Sequence, residues 1–235
     1  MSGYSLVKNA VQEYDENELI LASNLYKEKL SGEISEVNYY KSLERLCKSG
    51  ELVKIAKGTY HLPKSGKYGI VPPSEKEIIS AFTANKTGTV VGYSLYNSLN
   101  LTTQISKTVC VLSSAIDSLT KTIRNIAVQQ ASLVFSDATE NMIHALEVLQ
   151  NINNIQDLNY ASFVRYTKEI AQNYNESIFK EIYLCRKYKK STIAFLQEIL
   201  DYHNVENNLG IYLSALSEYK IPKMEELYET ARVSE

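Results

Sequence analysis

Tryptophan is absent from this sequence, cysteine occurs three times and proline four times. Cys47, Cys110 and Cys185 are far apart, odd in number and joined by no short spacing, which argues against a disulfide framework and against a zinc site. They read as buried, reduced thiols. No apolar run approaches the roughly 18 residues that a membrane span needs. The opening MSGYSLVKNAVQEYDENE lacks the basic and then apolar layout of a signal peptide, so a cytoplasmic protein is expected. The HExxH, GxSxG, Walker and Rossmann glycine patterns are missing too. His61, His144 and His203 fall in three separate elements, and the Glu225-Glu226 pair sits in a charged tail where solvation accounts for it. No catalytic activity, cofactor or metal is therefore expected.

What is present is an ordinary composition for a globular chain of 235 residues, 44% hydrophobic and 22% charged, enough for one large domain or two modest ones. The net charge of −2 excludes a generic polyanion binder but hides an uneven distribution. Lys41, Arg45, Lys48, Lys54, Lys57, Lys64 and Lys67 fall within 27 positions, opposed only by Glu44 and Glu51, whereas residues 141–235 hold thirteen acidic and ten basic residues. A basic block beside an acidic C-terminal half suggests two tasks.

Periodicity supplies the architecture. Leu6, Val7, Ala10, Val11 and Tyr14 have helical spacing, a second short helix fits 22–30, and Ser31-Gly32 makes a turn. A third helix is predicted over 36–48, with Ser35 as N-cap and Ser49-Gly50 as the stop. The run ELVKIAKGTYHLP then reads as a strand, a tight Lys57-Gly58 turn and a returning strand ended by Pro63. This is the order of a winged helix-turn-helix. Residues 64–73, with two glycines and two prolines, read as a linker. Beyond it come a helix capped by Ser74, short strands near 89–91, 108–113 and within 123–135, and a helical pattern from Ala138 onward. The expected fold class is α+β: a winged helix-turn-helix over 1–65, then a mixed domain over 66–235 with a small β-sheet and a helical C-terminal section.

On a wheel of ~100° per residue, Val37, Tyr40, Leu43, Leu46 and Cys47 gather on one side of the third helix. Asn38, Lys41, Ser42, Arg45 and Lys48 gather on the other, with Glu36 and Glu44 toward the apolar side and its edges. That outward face has the chemistry of a major-groove helix. Arg45 can pair with guanine O6 and N7, Asn38 with adenine N6 and N7, while Lys41 and Lys48 reach phosphates. Lys54, Lys57 and Thr59 add a hairpin contact. The eighteen tyrosines, half of them from residue 160 onward, fit either an interface or a tyrosine-built core.

The run LERLCKSGELVKIAKGTYHLP resembles the recognition-helix end and wing of the AbiEi-like antitoxins of type IV toxin–antitoxin systems. PPSEKEIISAF, GYSLYNSLNLTTQ and TVCVLSS resemble the segment that follows in one subgroup, so the resemblance spans about residues 5–150. It implies a winged helix that binds inverted repeats of double-stranded DNA upstream of its own operon and represses transcription. It also implies a second part that counteracts a nucleotidyltransferase-like toxin in phage defence. The positions matching the family's recognition helix and wing are Asn38, Lys41, Ser42, Arg45, Lys48, Lys57 and Thr59. Two other readings share the sequence: a stand-alone regulator whose second domain senses a ligand or dimerises, and a winged-helix module that binds protein rather than DNA. Oligomeric state stays open, since paired repeats suit a dimer or two cooperating monomers.

Overall fold

A computed structural model describes residues 2–214 and 216–233 of the chain as a mixed α+β protein with small sheets. It divides into two compact units, and both are discontinuous in sequence. Unit 1 comprises residues 1–87 and 113–130, and unit 2 comprises 88–112 and 131–235. The division does not fall at residue 65, where composition suggested a linker, because a later segment returns to complete the first unit.

Unit 1 begins with α1 (Gly3–Val11), capped by the Ser2 hydroxyl, which accepts from the Ser5 amide. Val7, Ala10 and Val11 form its buried stripe at the i, i+3, i+4 spacing that puts side chains on one helical face. Strand β1 (Leu19–Leu21) follows, then the four-residue α2 (Ala22–Leu25), continued by one π-helical turn over Tyr26–Leu30. The third helix, α3 (Glu36–Lys48), has the bounds expected, although Ser35 caps it without a side-chain hydrogen bond.

Strands β2 (Val53–Ala56) and β3 (Thr59–His61) form a hairpin. Its tip needs a positive φ, met by Gly58 at 66°. β1 pairs with β3 on the other side, giving an antiparallel sheet in the order β1-β3-β2 with Leu19 opposite His61 and Val53 opposite the same residue. The core of this part joins Val7, Val11, Ile20, Leu25, Tyr39, Leu43, Leu46 and Leu52.

Residues 64–73 are not a plain linker. They carry a second hairpin, β4 (Lys64–Gly66) and β5 (Gly69–Val71). Helix α4 (Glu75–Thr83) then starts on a full capping box: the Ser74 hydroxyl accepts from the Glu77 amide, and the Glu77 carboxylate accepts from the Ser74 amide.

Unit 2 opens with β6 (Gly88–Val91), α5 (Tyr93–Ser98) and β7 (Val109–Ser113), with β6 beside β7. The returning segment of unit 1 is a tight antiparallel hairpin, β8 (Thr120–Ile123) and β9 (Ile126–Gln130). Polar bonds fasten it to the N-terminal elements. Asp117 pairs with Lys27 at 2.6 Å, Asn24 donates to the Ala115 carbonyl, Arg124 donates to the Pro73 carbonyl and Asn125 donates to Glu75.

The rest of unit 2 is helical: α6 (Asp137–Asn151), α7 (Tyr160–Gln172), α8 (Glu176–Cys185), α9 (Lys190–Tyr202) and α10 (Met224–Val233). Ser136, Asn159 and Asn175 cap α6, α7 and α8 by accepting backbone amides, each cap being worth about 1 kcal/mol. Phe163, Phe179, Phe195, Leu146 and Leu196 lie at the centre of this core. Tyr166 and Tyr188 are buried, and Tyr160, Tyr174, Tyr183, Tyr212 and Tyr228 lean on it. Most of the late tyrosines are thus core-building residues. Arg186, Glu147 and Tyr188 form a largely buried polar cluster, with Arg186 2.9 Å from the Glu147 carboxylate and the Tyr188 hydroxyl donating to the same oxygen at 3.1 Å.

The three cysteines are free, Cys47 and Cys110 partly buried and Cys185 exposed, so Cys185 departs from the buried thiol expected. Among the described residues, no helix is long and apolar enough to cross a membrane.

Candidate nucleic-acid interface

The orientation of α3 is set by Tyr39. Its ring is wholly buried, and its hydroxyl donates to the Ala22 carbonyl at 2.9 Å, so a large apolar body and its polar tip are both satisfied inside. Leu43 and Leu46, four and seven residues on, share that face. The outer face is consequently rotated from the one expected. Val37 is 64% exposed and Tyr40 is also exposed, so neither belongs to the buried side. Glu44 likewise stands in solvent, within 2.8 Å of Lys48. That hydrogen bond holds the Glu44 carboxyl below its ordinary pKa. The outward face therefore does contain a carboxylate.

Two of the eight residues assigned to this interface are not on its surface. Ser42 is 5% exposed, and its hydroxyl donates back to the Asn38 carbonyl at 2.8 Å, the i−4 bond by which a serine satisfies itself inside a helix. Thr59 is fully buried, and its Oγ1 accepts from Lys121 Nζ at 2.9 Å. Half-burial of that lysine moves its pKa downward, chiefly by desolvation. The hairpin β8–β9 thus claims the threonine that was to reach a nucleic-acid backbone, and nothing in the first 65 residues announces it.

The other six are exposed: Asn38, Lys41, Arg45 and Lys48 on α3, Lys54 on β2 and Lys57 at the hairpin tip. Lys41, Arg45, Lys54 and Lys57 make no salt bridge among the described residues. Lys48 is partly neutralised by Glu44. The tip is held in place because the Gly58 carbonyl accepts the Ala22 amide at 3.0 Å, tying the turn to the start of α2. Two open cations, Lys41 and Arg45, and an amide on one helix, with two more lysines on a fixed hairpin, suit phosphate contacts plus base-edge contacts.

Carboxylates gather elsewhere in unit 1. A cleft of about 420 Å³ is lined by Asp15, Glu16, Glu18, Glu28 and Glu77 and contains none of the interface residues. The histidines are dispersed. His61 is buried on β3 with Nδ1 2.8 Å from the Leu62 carbonyl, His144 Nε2 lies 2.7 Å from the Thr89 hydroxyl, and His203 Nε2 lies 3.3 Å from Thr167. Burial pushes His144 down to about 4, against a smaller upward pull from a backbone hydrogen bond at Val90. No group of three or more His, Cys, Asp or Glu among the described residues could hold a metal ion.

The architecture is that of a two-unit α+β protein with an open cationic helix in its first unit. The chain belongs to a family of unknown function (DUF6088), whose model matches residues 9–172. That span runs from within α1 to the last residue of α7, so it covers most of unit 1 and the first part of unit 2. No curated protein matches the chain.

Proposed function

We propose that unit 1 contains a winged helix-turn-helix and binds double-stranded DNA, with α3 entering the major groove and the β2–β3 turn lying against the backbone. The element order α1-β1-α2-α3-β2-β3 and the sheet order β1-β3-β2 support the winged-helix reading. So does the short connection between the π-helical turn and α3. The observation that carries the DNA reading is the unpaired state of Lys41 and Arg45 beside Asn38 on an exposed helical face. On the sequence resemblance described above, the protein is a cytoplasmic autorepressor and AbiE-like antitoxin, acting at an inverted repeat upstream of its own gene and counteracting a nucleotidyltransferase-like toxin. Its role is binding, not catalysis.

The test is DNA affinity across a salt series, using a duplex from upstream of the gene. Arg45→Ala is expected to cost about 1–3 kcal/mol of affinity and relax sequence preference, and Lys41→Ala to lower the salt slope by about 1. Wild-type protein that binds no duplex in a salt-dependent way rules the reading out. The antitoxin half depends on the neighbouring gene. A toxic nucleotidyltransferase-like product whose growth defect is relieved by co-expression supports it, and no such gene, or no relief, removes it.

Val37, Tyr40 and Glu44 on the same face favour one competing reading, a winged helix that docks on protein. In the DNA reading Val37, in the first turn of α3, is placed to meet a thymine methyl group. Val37→Ala then weakens binding only where the site carries that thymine.

A further inference from the structure

We propose that the hairpin β4–β5 is a second DNA-contacting element, a basic ribbon that lies against the sugar–phosphate backbone. This rests on the reading of unit 1 as DNA-binding and assigns a role to residues outside α3 and the first hairpin.

The hairpin is a specified structure. Lys64 pairs with Val71, Ser65 with Ile70 and Gly66 with Gly69, closed by the two-residue turn Lys67-Tyr68. Gly69 has φ +114°, which side chains rarely adopt, and a Cβ on Gly66 would lie 2.6 Å from a Val71 methyl. The Gly69 backbone calls for glycine, whereas a Cβ on Gly66 would chiefly displace the exposed Val71 side chain. Yet all residues of both strands are exposed, no third strand joins them among the described residues, and Tyr68 at the tip is 93% exposed. A lone two-stranded ribbon is marginal in water, and an exposed Tyr68, Ile70 and Val71 offer contact area that nothing in unit 1 uses.

Charge selects the occupant. Residues 52–74 contain Lys54, Lys57, Lys64 and Lys67 and no aspartate or glutamate, in a chain with 27 acidic residues. Lys64 and Lys67 make no salt bridge among the described residues, and Lys67 Nζ sits 5.4 Å from the centre of the Tyr68 ring. An apolar protein partner would have to desolvate two unpaired ammonium groups, which is costly. A phosphate backbone neutralises them and releases counterions. The bare glycines let main-chain amides come close to phosphate oxygens, and the Ser65 and Tyr68 hydroxyls can donate to them.

The experiment measures full-chain affinity for two duplexes of equal length, one from upstream of the gene and one unrelated, across a salt series. Light scattering and thermal melting are run on every variant. Because a ribbon on the backbone reads no sequence, Lys64→Ala with Lys67→Ala is expected to weaken both duplexes by a similar factor and to lower the salt slope by about 2. Lys64→Arg with Lys67→Arg is expected to keep the slope. Arg45→Ala, by contrast, should act mainly on the upstream duplex. Wild-type binding with unchanged affinity and slope in the double alanine variant overturns the ribbon and leaves α3 as the interface. A variant that loses only oligomer mass, at unchanged slope, makes the hairpin a contact between copies and also overturns it. Failure of wild-type protein to bind either duplex removes the DNA reading itself.

Discussion

In unit 2, Tyr166 and Tyr188 are buried and five further tyrosines after residue 155 rest on the helical core. In unit 1, Val37 and Tyr40 stand in solvent beside Lys41 and Arg45, and Tyr68 is almost fully exposed at a hairpin tip. One residue type therefore does different work in the two places. Unit 2 uses tyrosine as a large apolar body whose hydroxyl finds a partner inside, as Tyr188 does with Glu147. Unit 1 also buries tyrosine, at Tyr39 and Tyr60, and the burial of Tyr39 turns α3 so that its cations face outward. The lesson is that composition alone did not separate an interface from a core, whereas the burial of each ring does.

The sharpest way to break this contrast is Tyr188→Ala. Removing a buried ring that also touches Arg186 and Glu147 is expected to cost about 3–5 kcal/mol, the range for deleting a large core side chain, read from urea unfolding. A change under roughly 0.5 kcal/mol, the scale of ordinary surface substitutions, would return the late tyrosines to the surface. A smaller effect is expected from pH. His144 is neutral in the folded protein down to about 4, while an unfolded histidine takes up its proton near 6.5. Below that value the unfolded state binds the extra proton, so stability is fully present above about 6.5 and falls as pH drops toward 4, by at most about 1.4 kcal/mol per pH unit. His144→Gln should flatten unfolding free energies across that window. The smallest effect belongs to the open face. Lys41→Ala and Arg45→Ala are expected to change stability by no more than about 0.5 kcal/mol while weakening DNA binding, and a large loss of stability would mean those cations hold the fold rather than a ligand.

The sequence was a good guide where a local rule dominates and a poor one where distant chain decides. The bounds of α3, the Lys57-Gly58 turn and the Ser74 start of α4 follow from helix stops, turn glycine and a capping serine. The face of α3 does not. A wheel built on residue classes turned Val37 and Tyr40 inward, because nothing local says that the Tyr39 hydroxyl will find the Ala22 carbonyl. The hairpin β4–β5 was hidden for a related reason: a ribbon exposed on both sides shows no alternation, so its glycines looked like those of a linker. Four of the six exposed candidates, Lys41, Arg45, Lys54 and Lys57, make no salt bridge among the described residues. Ser42 was lost to its own helix backbone, and Thr59 to Lys121, a residue 62 positions away.

The same returning segment has a consequence for synthesis. A ribosome that has made the first 87 residues has made α1 to α4 but not β8 and β9, and 25 residues of unit 2 must follow before the missing strands begin to emerge. The N-terminal unit therefore cannot reach its final form as an independent early folder during translation. A cassette cut after residue 65 or 87 would lack both the Lys121 amine that donates to Thr59 and the Asp117 carboxylate that pairs with Lys27.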